Sequence, residues 1–445
     1  MKLIKHIIFV DVDEDRKLII NSLNGLMDEI DIPIFETLLK WQKADEIVAN
    51  NPLESELYNN LETRGYLVES DEEEFSRKNE ILDALREHHA KDRMHCKYMT
   101  FIMTYDCNFR CDYCFEGDAY VKKEVMTPDL IDAALHLAGD DLESICLFGG
   151  EPLLPQTRPA LEHLVSKMPK KSYSIITNGY YLEEYLDLLS TIRIEHITVT
   201  LDGEEETHNS KRFLENGGFT YQKIMAGISK CLASGIPIRI RVNAANDSLD
   251  EGIALQNRLE KHFAEYKDFL AFEMAPMLGY SDTQKAEMIS KMFCSSIQYD
   301  NEERMRRNRM FSAMSPIINS VTSGVPMRPL YSFCYAHENK ITVDPYGNIF
   351  TCLVTVGKDE LAAGKYYPTV EYKENSIFNR NIDKVPECQK CKYSLLCGGG
   401  CPVRLPDYSD YFKPVCASIK SQIHEMLPLL YKAEREYKEQ FEMSA

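Results

Sequence analysis

Between residues 98 and 276, six apolar runs alternate with amphipathic segments, and this alternation constrains the fold more than any other feature of the chain. YMTFIMTYD, SICLFGG, SYSIITNG, HITVTLDG, IPIRIRVN and DFLAFEMAP are strand-like. TPDLIDAALHLAG and YQKIMAGISKCLASG, which lie between them, carry helical periodicity. Strands separated by helices predict a parallel sheet, open or curled toward a barrel. In such a sheet the working residues belong at the C-terminal ends of the strands. Each run ends in polar or glycine-rich sequence, so the rule names its own candidates.

The first run ends in TYDCNFRCDYCFEGD, with Cys107, Cys111 and Cys114 separated by three and two residues. Three thiolates from one loop suit an iron–sulfur cluster with one iron left unbound by protein. A zinc knuckle that lacks its fourth ligand is the alternative. The second run ends in FGGEPL, where Gly149 and Gly150 admit close backbone approach and Glu151 offers a carboxylate to an ammonium group. Standing alone, that string reads as a tight strand-to-helix turn. Thr177, Asn178 and Gly179 end the third run, and Thr200 and Asp202 the fourth. Arg212 in HNSKR, and Arg241 with Asn243 in RIRVN, are either ligand partners or ordinary ion pairs.

A formal charge of −19 argues against a general nucleic-acid binder, which needs a phosphate-neutralising surface, and makes a basic or neutral peptide the easier partner. HIIFV at 6–10 and FLAF at 269–272 are far shorter than the roughly 20 residues of a membrane span. Asp11 and Asp13 interrupt the first apolar run too early for a signal peptide, so a cytoplasmic protein with no membrane partner is expected. In a reducing compartment fourteen cysteines are metal ligands more readily than disulfides, and ten of them fall in patterned spacings.

The flanks differ from the centre. Residues 1–90 begin with alternating apolar positions around DEDRK, read as a hairpin turn between two strands. PIFETLLKWQ, with Pro33 near its start, and PLESELYNNLET, stopped by Gly65, read as helices. A short strand and a charged linking helix follow, which together describe a small winged-helix-like module. Downstream, Cys334, Cys352, Cys388, Cys391, Cys397, Cys401 and Cys416 follow a second pattern, with DPYG as a hairpin turn between ITV and NIF. Taken alone, the CxxC pairs suit a zinc ribbon. The GGG at 398–400 lacks the lysine and helix of a phosphate loop, and close approach to a cluster explains it. Cys146 and Cys231 fit no pattern and read as core residues, while Cys96 and Cys294 also stand outside it.

CxxxCxxC after the first strand, with Tyr113 before the third cysteine and GGE after the second strand, resembles the radical S-adenosylmethionine (SAM) superfamily. That resemblance covers 98–276 and implies a partial (β/α)6 barrel at 95–280. It further implies that Cys107, Cys111 and Cys114 hold a [4Fe–4S] cluster whose open iron chelates SAM, with Gly149, Gly150 and Glu151 at the SAM amine. Tyr113, Asn178, Thr200, Arg212 and Arg241 are the other implied cofactor contacts, Thr200 standing where the family commonly has a serine on the ribose. The seven later cysteines closely resemble the SPASM domain of peptide and protein maturases, expected here at 334–445 with a C-terminal helix, after a helical bridge at 281–333. By that resemblance Cys388, Cys391, Cys397 and Cys416 hold one auxiliary [4Fe–4S] cluster. Cys401 crosses to a second, with Cys334 and Cys352. Three clusters in all are implied, the last with an open iron for a substrate thiolate unless His337 or Cys294 closes it.

Within that family, residues 1–90 resemble a leader-peptide recognition module that adds a precursor strand to its sheet, an inert docking subdomain being the alternative. The resemblance therefore implies a cytoplasmic maturase forming a cysteine thioether on a ribosomally made precursor, with flavodoxin or ferredoxin as electron donor. Cleavage of SAM to a 5′-deoxyadenosyl radical would begin the reaction. Formylglycine formation in sulfatases and carbon–carbon crosslinking are the alternatives. A zinc adaptor would leave CxxxCxxC and GGE unexplained.

Overall fold

The computed structural model describes residues 1–93, 95–244, 249–276, 284, 287–289, 291–293, 315–334, 339–405 and 408–444. The N-terminal part contains β1 (Lys2–Leu3), β2 (Ile7–Asp11), β3 (Arg16–Asn21), β4 (Met27–Asp31) and β5 (Leu67–Val68). Strands β2, β3 and β4 form an antiparallel sheet, and β1 pairs with β5. The turn at DEDRK is where the sequence places it, but MDEID adds a third strand. Only Ile30 of β4 is buried among its charged neighbours, so pairing with β3 rather than composition makes that strand.

Two short helices follow, Ile32–Trp41 and Pro52–Thr63. Asp31 and Asn51 cap them by accepting from the amides of Ile34 and Glu54, interactions worth about 1 kcal/mol each. The chain then turns at Gly65, whose φ of 74° suits glycine. The linking helix Asp71–Arg93 is docked against the C-terminal part. Lys78 donates to the Gln389 carbonyl at 2.7 Å, and Arg86 grips Asp383 through Nε at 2.6 Å and Nη2 at 3.0 Å.

All six central runs are strands: β6 (Tyr98–Ile102), β7 (Ser144–Phe148), β8 (Ser172–Thr177), β9 (Arg193–Thr200), β10 (Ile238–Ala244) and β11 (Leu270–Pro276). They pair in sequence order, every pair parallel, with helices between successive strands. Phe101, Ile145, Ile175, Val199, Ile240 and Phe272 are fully buried, as expected of parallel strands covered on both faces. Ile131, Leu161 and Ile224 on the flanking helices belong to the same core.

Beyond β11 come β12 (Lys340–Val343), β13 (Asn348–Phe350), β14 (Gly364–Lys365) and β15 (Glu371–Tyr372). β12 and β13 form the hairpin expected at DPYG. β12 also pairs in parallel with β6, so the central sheet continues into the C-terminal part as ten strands among the described residues. Tyr105 reinforces this junction, donating to buried Asp344 at 2.9 Å and accepting from the Gly357 amide at 2.9 Å. The C-terminal helix lies at Leu427–Ser444, and part of the bridging region is the helix Ser315–Ser323. No helix among the described residues is long and apolar enough to cross a membrane.

Candidate functional site: two groups of thiols

At the C-terminal end of β6 the chain runs through Thr104–Cys114 beside the end of β7. The Gly150 amide donates to the Thr104 carbonyl, and the Glu151 amide to that of Asp106, both at 2.9 Å. A Cβ on Gly150 would stand 2.4 Å from the carbonyl oxygens of Tyr105 and Asp106. One on Gly149, whose φ is 121°, would meet the Thr104 oxygen at 2.3 Å. Both glycines are therefore required by the cysteine loop itself.

Glu151 is fully buried. Its Oε1 accepts from the Thr177 hydroxyl at 2.7 Å and the Leu153 amide at 2.9 Å, while Oε2 accepts from the Asn178 amide at 2.7 Å. Burial pushes its pKa up to about 7 against the pull of these donors. Such a carboxylate is poised to take up a cation, because a positive group would restore its charged form. Asn178 ties the ends of three strands together: its side-chain amide donates to Asn108 at 2.8 Å and to the Cys107 sulfur at 3.8 Å, while its amide holds Glu151.

Tyr113 is anchored as well. Its hydroxyl donates to Asp202 and accepts from Arg212 at 2.6 Å and Asn243 at 3.4 Å. Arg212 is buried over the Phe109 ring, and its Nε has no partner among the described residues. Thr200 is buried at the end of β9. Arg241 is turned to other uses, donating to Asn243 at 3.2 Å and lying 3.6 Å from Glu273, the ion-pair alternative raised from the sequence. His208 was not singled out from the sequence, although it stands four residues before Arg212 in HNSKR. It is fully buried with its pKa lowered to about 3 by burial and by Arg212. Its Nδ1 accepts from the Asp202 amide at 3.3 Å, and Nε2 lies 3.2 Å from Thr220, whose hydroxyl donates to the Arg212 carbonyl at 2.6 Å. His208 thus braces both Asp202 and Arg212.

The thiols fall into neighbourhoods. Cys111 raises the pKa of Cys107, and Cys114 that of Cys111, each after the larger effect of burial. In the C-terminal part Cys397 feels Cys388, Cys416 and Cys391, while Cys388 feels Cys391 and Cys416. Burial raises the Cys388 pKa to about 11 and that of Cys397 to about 12. Cys352 feels Cys401 instead, and Cys334 packs with Cys352 on one apolar cluster. Soft sulfur donors gathered in this way fit iron–sulfur chemistry. Among the described residues no three His, Cys, Asp or Glu side chains are close enough to hold a single metal ion. Cys294 and His337, the other possible ligands, lie outside the described residues.

The three glycines after Cys397 have a cause that the sequence did not show. A Cβ on Gly398 would lie 2.3 Å from the Ser332 carbonyl carbon, and one on Gly400 would lie 2.0 Å from the Val415 oxygen. At these two glycines the close approach is to the protein's own backbone. Cys231 is fully buried, as expected, whereas Cys146 is partly exposed on β7.

Residues 101–245 match the family model described as Radical SAM superfamily. A probable GTP 3′,8-cyclase of Methanococcus vannielii is 28% identical over 155 residues, 34% of this chain and 50% of that protein. Another, of Archaeoglobus fulgidus, is 26% identical over 261 residues, 57% of this chain and 84% of that protein. The chain thus spans about half the length of the first of these relatives. Among solved structures, Streptococcus suis SuiB bound to precursor peptide SuiA superposes with a TM-score of 0.56 at 14% identity, covering 94% of this chain and 99% of that one. Native anSMEcpe with bound AdoMet and Kp18Cys peptide gives 0.55 at 19%, covering 76% and 99%. These two likenesses are of fold.

Proposed function

We propose that this chain is a radical SAM peptide maturase that forms a cysteine thioether on a ribosomally made precursor. The observation that carries the reading is the cysteine loop after β6, tied by buried Glu151 and Asn178 to the ends of β7 and β8, in a chain that carries seven further patterned cysteines. Cys107, Cys111 and Cys114 would hold the [4Fe–4S] cluster that binds SAM, with Glu151 facing its ammonium and Arg212 offering an unused N–H. When bound and reduced, cluster and SAM together supply the hydrogen-abstracting chemistry. The chain's part is to orient them: Asn178 fixes Glu151 against the cysteine loop, and the Tyr113 hydroxyl locks that loop to the ends of β9 and β10.

Cys388, Cys391, Cys397 and Cys416 would saturate one auxiliary cluster. Cys334, Cys352 and Cys401 would leave one iron of the second for a substrate thiolate. Residues 1–90 would bind the leader, and flavodoxin or ferredoxin would supply electrons. SuiB and anSMEcpe, both solved with peptides, support a peptide substrate. The sequence relatives named as GTP cyclases make a nucleotide the second reading.

Anaerobically reconstituted protein, reductant and SAM incubated with a cysteine-containing precursor should give a product that has lost two hydrogens per crosslink and resists thiol alkylation. Turnover of GTP with an unchanged peptide would overturn the reading. Removing 1–90 should abolish leader affinity.

A further inference from the structure

Arg380 is 1% exposed. It is the largest of the fully buried side chains among the described residues, and the alternating barrel pattern gives no reason for it. Its Nε donates to the Tyr411 carbonyl at 2.7 Å, Nη1 to Gly400 at 2.8 Å, and Nη2 to Gly399 at 2.6 Å and Lys413 at 2.7 Å. Two of these carbonyls lie between Cys397 and Cys401, and two lie just before Cys416. The guanidinium therefore binds together the segments that carry three of the seven C-terminal cysteines. A Cβ on Gly399 would stand 2.9 Å from Nη1, so the middle glycine of GGG is what admits it.

Carbonyl dipoles satisfy N–H donors but do not neutralise a charge, and a cation buried without an anion costs several kcal/mol. Burial acts most strongly, against this charge, and the groups that favour it are thiols, in the order Cys388, Cys397, Cys401 and Cys334. The first two belong to the set of four and the last two to the set of three. A [4Fe–4S] cubane is anionic with four thiolates and, less strongly, with three, and each gains a further negative charge on reduction, so two such assemblies repel one another across this guanidinium.

We propose that Arg380 is a shared counter-cation for the two auxiliary clusters, a positioning residue that raises both reduction potentials together and permits the two anions to coexist. This rests on the reading that the seven C-terminal cysteines hold two clusters.

The test is a redox titration followed by EPR on full-length reconstituted wild type, R380Q and R380K, with the barrel cluster as internal reference. A wild type with only about four irons would defeat the two-cluster reading itself. With about twelve irons in the wild type, R380Q should lower the reduced-to-oxidised ratio of both auxiliary clusters at fixed potential. The expected change is on the order of tenfold, about 59 mV for one electron. The barrel cluster should not move, and R380K should recover most of the shift. If neither auxiliary signal moves, or only one does, the shared role is overturned. Should R380Q fail to retain auxiliary iron, R380K decides: retained iron with near wild-type potentials supports the charge role. Loss of that iron in R380K as well, with the barrel cluster intact, assigns Arg380 to hydrogen bonding alone and overturns it.

Discussion

The barrel thiols and the C-terminal thiols are held by different means. Cys107, Cys111 and Cys114 ride on a loop pinned by the ends of regular strands, through Asn178, Glu151, Asp202 and Asn243. The C-terminal cysteines sit on short turns and one-turn helices, and the segments of Cys397, Cys401 and Cys416 are pinned by glycines at positive φ and by the buried cation of Arg380. A strand end supplies ordered donors and acceptors without further help, because the sheet fixes its backbone. Where no sheet reaches, the chain must bring its own ties, which accounts for the unusual side chain and the three consecutive glycines. The first arrangement follows from local pattern, and the second from contacts made only in the folded state.

Several changes would break or sharpen that contrast. The largest effect belongs to Cys111→Ala, which should abolish SAM cleavage while about eight of about twelve irons remain, read by iron and sulfide analysis. Loss of all iron would mean that the two groups are not independent. Gly150→Ala should come next, because its methyl meets two backbone oxygens at 2.4 Å. It should cost about 1–3 kcal/mol in denaturant unfolding and most of the cleavage activity.

Tyr113→Phe removes one hydroxyl shared by Asp202, Arg212 and Asn243. A loss of about 1–3 kcal/mol is expected, read as a roughly tenfold or greater fall in SAM affinity with the auxiliary spectra unchanged.

The smallest effect on the reaction concerns Glu116, a carboxylate buried beside the same loop whose Oε1 has no partner among the described residues. Burial raises its pKa from 4.5 to about 8. The folded state therefore holds a proton that the unfolded state has lost between those values, and its contribution to stability falls as pH rises through that window. Glu116→Gln should flatten this dependence in unfolding curves at pH 5 to pH 8 and leave the auxiliary region untouched.

The six barrel strands, the cysteine loop and GGE were legible because period-two and period-3.6 patterns, glycine and close cysteine spacing are local signals. Strand β4 was not, since a single buried Ile30 gives no alternation to read. Arg380 was also hidden: nothing near it in SIFNRNIDK distinguishes a buried guanidinium from a surface one. Its acceptors lie 19 to 33 residues away in sequence. Arg241 shows the converse, a residue level with the end of β9 whose side chain is committed to Glu273 and Asn243. The position of a residue at a strand end is legible, but the direction of its side chain is not.

The parallel pairing of β6 with β12 has a consequence for synthesis of the chain. Strand β6 is made early, and one of its edges acquires β7 soon afterwards, but the other waits for Lys340–Val343. During translation the growing protein therefore carries an apolar strand with one open edge for most of the time the ribosome spends on it, the kind of edge on which neighbouring nascent chains join. Expression that slows the ribosome before residue 340 should favour aggregation, and supplying the C-terminal part in trans should relieve it.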